Sequence, residues 1–189
     1  MKKTKKPLVM AVSLALVAAL GAGATYAWLT DKTDEVKNTF TVGNVDIELA
    51  ETNTDGNSAL ENAYKMVPGQ DIVKDPKVTV KANSEACWVF VKVTEGNDLD
   101  KFITYGTAAG WTALSGQDGV YYREQAATTT DVTYSVLLGD KVTVNGTVTK
   151  ADMDALTDGT LPTLSFKAYA IQQAGFNTAA DAWTELNRA

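Results

Sequence analysis

The sequence predicts an all-β fold, a jelly-roll-like antiparallel β-sandwich that ends in a short C-terminal helix. Three observations carry this prediction. Apolar and polar residues alternate with period two along most of the chain, turn dipeptides recur roughly every 8–12 residues, and no strand–helix–strand alternation or short repeat interrupts them.

Residues 1–27 precede this body. MKKTKKP is basic, LVMAVSLALVAAL is a 13-residue apolar run, and GAGATYA is a small-residue exit ending at Ala27. An export channel and a signal peptidase require that order, which predicts a signal-peptide helix over 8–25 in the precursor. A membrane anchor would need about 20 apolar residues to cross the hydrocarbon core, and this run is shorter and diluted with Ala and Gly. Ala22 and Ala24 form one A-x-A site, and Thr25 and Ala27 place small residues at another. The expected cut follows Ala27, so that Trp28 is the first mature residue. The expected organisation is a signal over 1–27, an N-terminal segment over 28–38 and a sandwich over 39–189. The mature protein is then secreted, and meets the membrane only through the uncleaved signal.

The strands follow in order. Thr39 to Leu49 alternates, with Phe40 and Val42 in one phase and Val45, Ile47 and Leu49 in the other. Gly43 sits where the phase slips and marks a bulge or bend. Glu51 to Ser58 is a turn cluster, Ala59 to Met66 adds one helical turn, and Val67-Pro68-Gly69 is a strong turn signal. Lys77 to Ala82 and Ala86 to Val93 are expected to be a pair of core strands joined tightly by Asn83-Ser84-Glu85. In the second of them Cys87, Val89, Val91 and Val93 face one way, and Trp88, Phe90 and Lys92 the other. Lys92 marks that second face as partly wet. Trp88 and Phe90 are therefore candidate exposed aromatics, unless a loop covers them.

Shorter strands are expected at Lys101 to Tyr105, Trp111 to Leu114, Val120 to Arg123, Val132 to Leu138, Lys141 to Val144 and Leu164 to Gln172. Asp118-Gly119, Gly139-Asp140 and Asn145-Gly146 supply turns between several of them. Asp152 to Leu156 reads as a short helix. A clearer helix closes the chain, capped by Thr178 or Asn177, with Asp181 in its first turns and Arg188 in its last. Its Ala179, Trp183 and Leu186 share one face, which implies packing onto the body.

Composition narrows the chemistry. The chain has 17 Lys+Arg and 23 Asp+Glu. Loss of the four signal lysines leaves 13 basic against 23 acidic residues, a net charge of −10. Such a surface repels phosphate backbones and argues against nucleic-acid binding. Cys87 is the single cysteine. No internal disulfide is possible, and its place among the valines makes it a small buried filler. Histidine is absent, so neither an H-E-x-x-H zinc motif nor a Ser/His/Asp constellation can exist. No catalytic residue, metal ligand or cofactor is assigned.

Several stretches in this order resemble one family. GATYAWLTD followed by NTFTVGNVDIEL, then Val67-Pro68-Gly69 with VTVKANSEACWVFVKV, and finally SFKAYAIQQAGFNTAADAW are similar to the TasA/camelysin-type exported proteins of Gram-positive bacteria. Their signal is typically cut by a dedicated signal peptidase of the SipW kind. The resemblance implies a jelly-roll-like subunit of biofilm-matrix or cell-surface fibres whose partner is another copy of itself. In TasA, the freed N-terminal segment of one subunit adds a strand to the next. Carried onto this chain, that donor segment is Trp28-Leu29-Thr30-Asp31-Lys32-Thr33. A frayed terminus, or a strand retained by its own sheet, are the alternatives. Camelysin relatives carry a metalloprotease label, from which the missing histidine departs.

Two other classes stay open. Asp31/Asp34, Asp98/Asp100 and Asp152/Asp154 pair at short range without forming a D-x-D-x-D-G calcium loop. Trp88, Trp111, Tyr121 and Tyr122 are candidates for a sugar platform, or ordinary sandwich core. A monomeric carbohydrate- or calcium-binding surface module is therefore the alternative to a fibre subunit, and a secreted protease is a third.

Overall fold

A computed structural model describes residues 43–52 and 62–188. The predicted signal helix, the Ala27–Trp28 cut and the segment Trp28 to Thr33 lie outside the described residues, as do Phe40, Val42 and most of the Glu51 to Ser58 turn cluster.

The described chain is an all-β sandwich of short antiparallel strands: β1 (Ile47–Ala50), β2 (Asp71–Val73), β3 (Lys77–Val80), β4 (Cys87–Gly96), β5 (Ile103–Thr104), β6 (Thr112–Ala113), β7 (Val120–Gln125), β8 (Val132–Ser135), β9 (Lys141–Val144) and β10 (Thr163–Gln172). Three short α-helices accompany them, α1 (Leu99–Phe102), α2 (Lys150–Asp154) and, after the last strand, α3 (Ala179–Leu186), with a 3-10 turn at Leu138–Asp140. The strands form three sheets, ordered β1-β3-β8, β10-β4-β7-β6 and β2-β9-β5.

Period-two patterning explains the main packing. Val78 and Val80 of β3 and Cys87, Val89, Val91 and Val93 of β4 are buried together with Val136, and Val45, Ile47, Leu49, Leu164 and Phe166 line the same core. One layer comes from the first sheet and one from the second, as in sheet-on-sheet packing. Burial of Cys87 as a filler agrees with its phase among the valines, and that burial pushes its thiol pKa up.

Lys77 to Ala82 and Ala86 to Val93 are not a pair, contrary to the sequence expectation. β3 bonds to β1 and β8, whereas β4 bonds to β10 and β7. Asn83 takes a left-handed φ of 65°, the Ser84 hydroxyl accepts the Asp46 N–H at 3.2 Å, and Ser84 bridges Thr128. The connection thus carries the chain from one layer to the other, and the two valine faces meet across the core.

The expected exposure of Trp88 and Phe90 is also corrected. They are 6% and 0% exposed. Helix α3, instead of a loop, covers them: Ala179, Ala182 and Trp183 share their cluster, and the Trp183 ring lies 5.2 Å from Phe90 and 5.2 Å from Tyr169. Thr178 caps α3 by accepting the Asp181 N–H at 3.1 Å, as its sequence suggests. Lys92 remains exposed, beyond the reach of the helix.

Other boundaries move for local reasons. Lys101 to Tyr105 begins as α1 because one helical turn sends Leu99 and Phe102 together into the third cluster, with Ile103, Leu137 and Val144. The strand at Val132 ends at Ser135, and Gly139 (φ 67°) and Asp140 (φ 53°) turn the chain into β9. The second short helix starts at Lys150, two residues early, because Thr149 and Asp152 form a capping box. Within Ala59 to Met66, the described residues from Asn62 carry no helix.

Trp183→Ala should destabilise the fold by about 3–5 kcal/mol and red-shift the fluorescence of Trp88, checked by urea unfolding. Cys87 should resist a thiol reagent at pH 8 in the native protein and react at once in denaturant; rapid native labelling would contradict its burial.

Candidate functional site

β10 is the longest strand with a free side. It spans 10 residues and ends its sheet, with β4 as its one partner among the described residues. The Gln173 N–H donates to the Ala86 carbonyl at 2.7 Å, in register with the Thr163↔Gly96 to Gln172↔Cys87 pairing. Antiparallel alternation then directs the backbone groups of Ser165, Lys167, Tyr169 and Ile171 to β4. Those of Leu164, Phe166, Ala168, Ala170 and Gln172 point away from it, and meet no backbone partner among the described residues.

Beside this edge lies the end strand of the facing sheet. β1 approaches β10 to within 8 Å between Cα atoms. The Lys81 N–H to Asp46 carbonyl bond, 2.9 Å, sets its alternation, so Ile47 and Leu49 turn their backbone groups away from β3. Side chains along the seam are half-buried: Ile47 and Leu49 of β1 with Val45 just before it, and Leu164, Phe166 and Ala168 of β10. Core-facing positions of β10 run large to small, from Leu164 and Phe166 to Ala168 and Ala170. At the alanine end, Gly43, Glu85, Ala86, Gln172, Gln173 and Ala174 line a shallow recess. A Cβ on Gly43 would come within 3.1 Å of the Glu85 side chain, which would have to give by a few tenths of an ångström.

The other lateral side is bridged at one end. The chain before β6 runs beside the end of β8, where the Ala108 N–H donates to Val136 and the Leu138 N–H to Gly106, each at 2.9 Å. Thr107 bridges Leu137, and the Trp111 indole donates to the Ser135 carbonyl at 2.8 Å. Among the described residues, bonds thus tie the two sheets together at one end of this side, whereas none runs along β10.

A polar clamp holds β1 at its far end. Lys74 Nζ lies 3.1 Å from Glu51, 5.4 Å from the Phe166 ring centre and 5.1 Å from that of Tyr64, and the Tyr64 hydroxyl donates to Glu51 at 2.7 Å. Asp75 accepts the Thr52 N–H and hydroxyl at 3.0 and 2.8 Å, and Lys77 at 3.1 Å. Burial pushes the Asp75 carboxyl up, but those three donors outweigh it and hold the group below its ordinary range.

The carboxylate pairs do not converge on a cation site. Asp152 is bound by Lys101 at 2.7 Å and by Thr149, and Asp154 by Lys150 at 2.6 Å. Asp98 takes a left-handed φ of 52° before α1, and Asp100 accepts the adjacent Lys101 N–H. Asp31 and Asp34 lie outside the described residues. Among the described residues no group of three or more His, Cys, Asp or Glu is placed to hold a metal. The proposed sugar platform is dispersed: Trp88 is buried under α3, Tyr122 meets it edge-on at 5.9 Å, and Tyr121 packs on the valine core with Trp111. The open edge was not legible in sequence, because strand order is set by pairing between distant segments.

Residues 3–94 match the family described as camelysin metallo-endopeptidase. No curated protein and no solved structure matches the chain. The metal implied by the family's description finds no fitting donor set among the described residues, and the whole chain lacks histidine.

In the isolated subunit, the amides of Phe166, Ala168 and Ala170 should exchange at least about tenfold faster than those of Lys167, Tyr169 and Ile171, read by NMR hydrogen exchange. Asp75→Asn should cost about 1–2 kcal/mol at pH 6. Because the folded pKa is depressed, Asp75 stabilises above the ordinary carboxylate range and loses that contribution as pH falls through its folded value. The gap between variant and parent in urea melts should therefore close at low pH.

Proposed function

From the premise that this chain is of the TasA/camelysin type over residues 3–94, we propose that it is a secreted structural subunit of extracellular fibres, without enzymatic activity. Subunits would join head to tail, the segment Trp28 to Thr33 of one adding a strand to the next. The edge of β10, unpaired among the described residues, is the observation that carries this reading. An edge of this length presents a ladder of unsatisfied backbone groups, and an added strand satisfies them while its alternate side chains find the seam.

Trp28 and Leu29 are the anchors in this reading. Burying two such side chains is worth on the order of 3–6 kcal/mol before ordering costs. The alanines at 168 and 170 leave the least filled part of the seam, the natural place for a large incoming side chain. Strand donation is heterologous, so it propagates into a filament instead of closing a dimer. Removal of the signal by a signal peptidase acts as the switch, because a segment tethered to the membrane cannot reach another subunit.

Protein beginning at Trp28 should form filaments with rising concentration, and protein lacking Trp28 to Thr33 should not, as seen by electron microscopy. Ala168→Pro is a sharper test. Its lost N–H points away from β4, so the fold should tolerate it as an edge proline, while strand addition should fail. A mature protein that stays monomeric at high concentration, or an Ala168→Pro variant that still polymerises, would contradict the assignment.

A further inference from the structure

The lateral side opposite β10 holds a cation with no counter-ion among the described residues. Arg123 of β7 stands opposite Val89 and carries its guanidinium between two rings. The guanidinium carbon lies 3.3 Å from the ring centre of Tyr134 and 5.3 Å from that of Trp111, and the rings meet edge-on at 6.4 Å. Both rings are held independently of the arginine, Trp111 by its bond to Ser135 and Tyr134 by a hydroxyl bond to Gln125.

Nothing in the described chain pairs with this charge. Lys74, Lys77, Lys81 and Lys141 each meet a carboxylate, whereas Arg123 joins no ion pair. Its Nε is buried without an acceptor, a costly state for a charged donor and one that calls for an explanation. The two Nη groups are not sealed in the same way. Burial lowers the pKa of the guanidinium, and no carboxylate acts to raise it, yet arginine keeps its proton at neutral pH. Gly110, at φ 88°, lies close above the group: a Cβ there would come within 3.0 Å of Nη2. The bare backbone at Gly110 leaves the guanidinium its room.

We propose that Trp111, Arg123 and Tyr134 form a binding site for a carboxylated sugar of the uronic-acid class. A planar guanidinium fixed between rings offers a fork that matches a planar carboxylate. The Trp111 indole packs on the valine core by one part and is only half-buried, so a pyranose held by the guanidinium would meet the ring's remaining apolar surface with its C–H side. Phosphate fits less well, since one arginine must compensate nearly two charges in a chain with 23 acidic and 17 basic residues. The inference does not depend on the fibre reading, because it uses the opposite side of the sandwich.

Titration of the full chain with glucuronate, followed by ¹⁵N NMR, tests it. The Arg123 Nε–H and Trp111 Nε1–H resonances should move together and saturate, while that of Trp183 stays in place as a folded reference. Glucose and inorganic phosphate should each need at least about tenfold higher concentration. Arg123→Lys keeps the charge without the fork and should weaken binding about tenfold, and Arg123→Gln should abolish it. The wild-type comparison of glucuronate with glucose stands even if the glutamine variant fails to fold. No saturable shift with glucuronate, an equal response to phosphate or glucose, or undiminished binding by a folded Arg123→Gln would overturn the proposal.

Discussion

Everything in this sandwich is organised around β4, a strand occupied on all four sides. Its edges bond to β10 and β7. Its valine face meets β3 across the core, and its aromatic face lies under α3. A strand in that position has no freedom of register, because a slip by one residue would move Trp88 and Phe90 into a space sized for valine. Lys92, the first exposed residue along it, marks where the helix cover ends.

The asymmetry of the molecule follows from this centre. β7 is backed by the short β6 and by the segment that Trp111 anchors, so only a two-residue strand ends the sheet on that side. β10 has no equivalent partner among the described residues. Its inner backbone groups are satisfied by β4, and its aromatic face is satisfied by Trp183. Its outer groups and the small side chains of Ala168 and Ala170 remain as unfinished β-structure. Such an edge invites pairing, and proteins that do not use one usually blunt it with charge, proline or a bulge. Lys167 is the only charged residue within β10, and β4 takes its backbone groups, so neither charge nor proline interrupts the row that faces outward.

Sequence patterning was most reliable where one residue type repeats on one face. The phase of Cys87, Val89, Val91 and Val93, the capping of α3 by Thr178 and the bounds of β9 were legible because each depends on near neighbours. The patterning failed where a distant segment decides. Asn83-Ser84-Glu85 has the length of a hairpin turn, but a left-handed Asn83 and the Ser84 contact with Asp46 make it a bridge between layers. Trp88 and Phe90 look exposed from their neighbour Lys92, and are buried by a helix that follows some 90 residues later.

By itself the sequence determined the all-β class, the buried cysteine, the terminal helix and the absence of histidine chemistry, since these depend on composition or on residues a few positions apart. Tertiary structure decided which strands are partners, which edge is unpaired among the described residues and which half-buried cation lies against rings instead of a carboxylate. Those properties arise from pairings between segments far apart in the chain, where the same alternating pattern is compatible with many orders and only the combined packing of valine faces, aromatic cover and backbone bonds selects one.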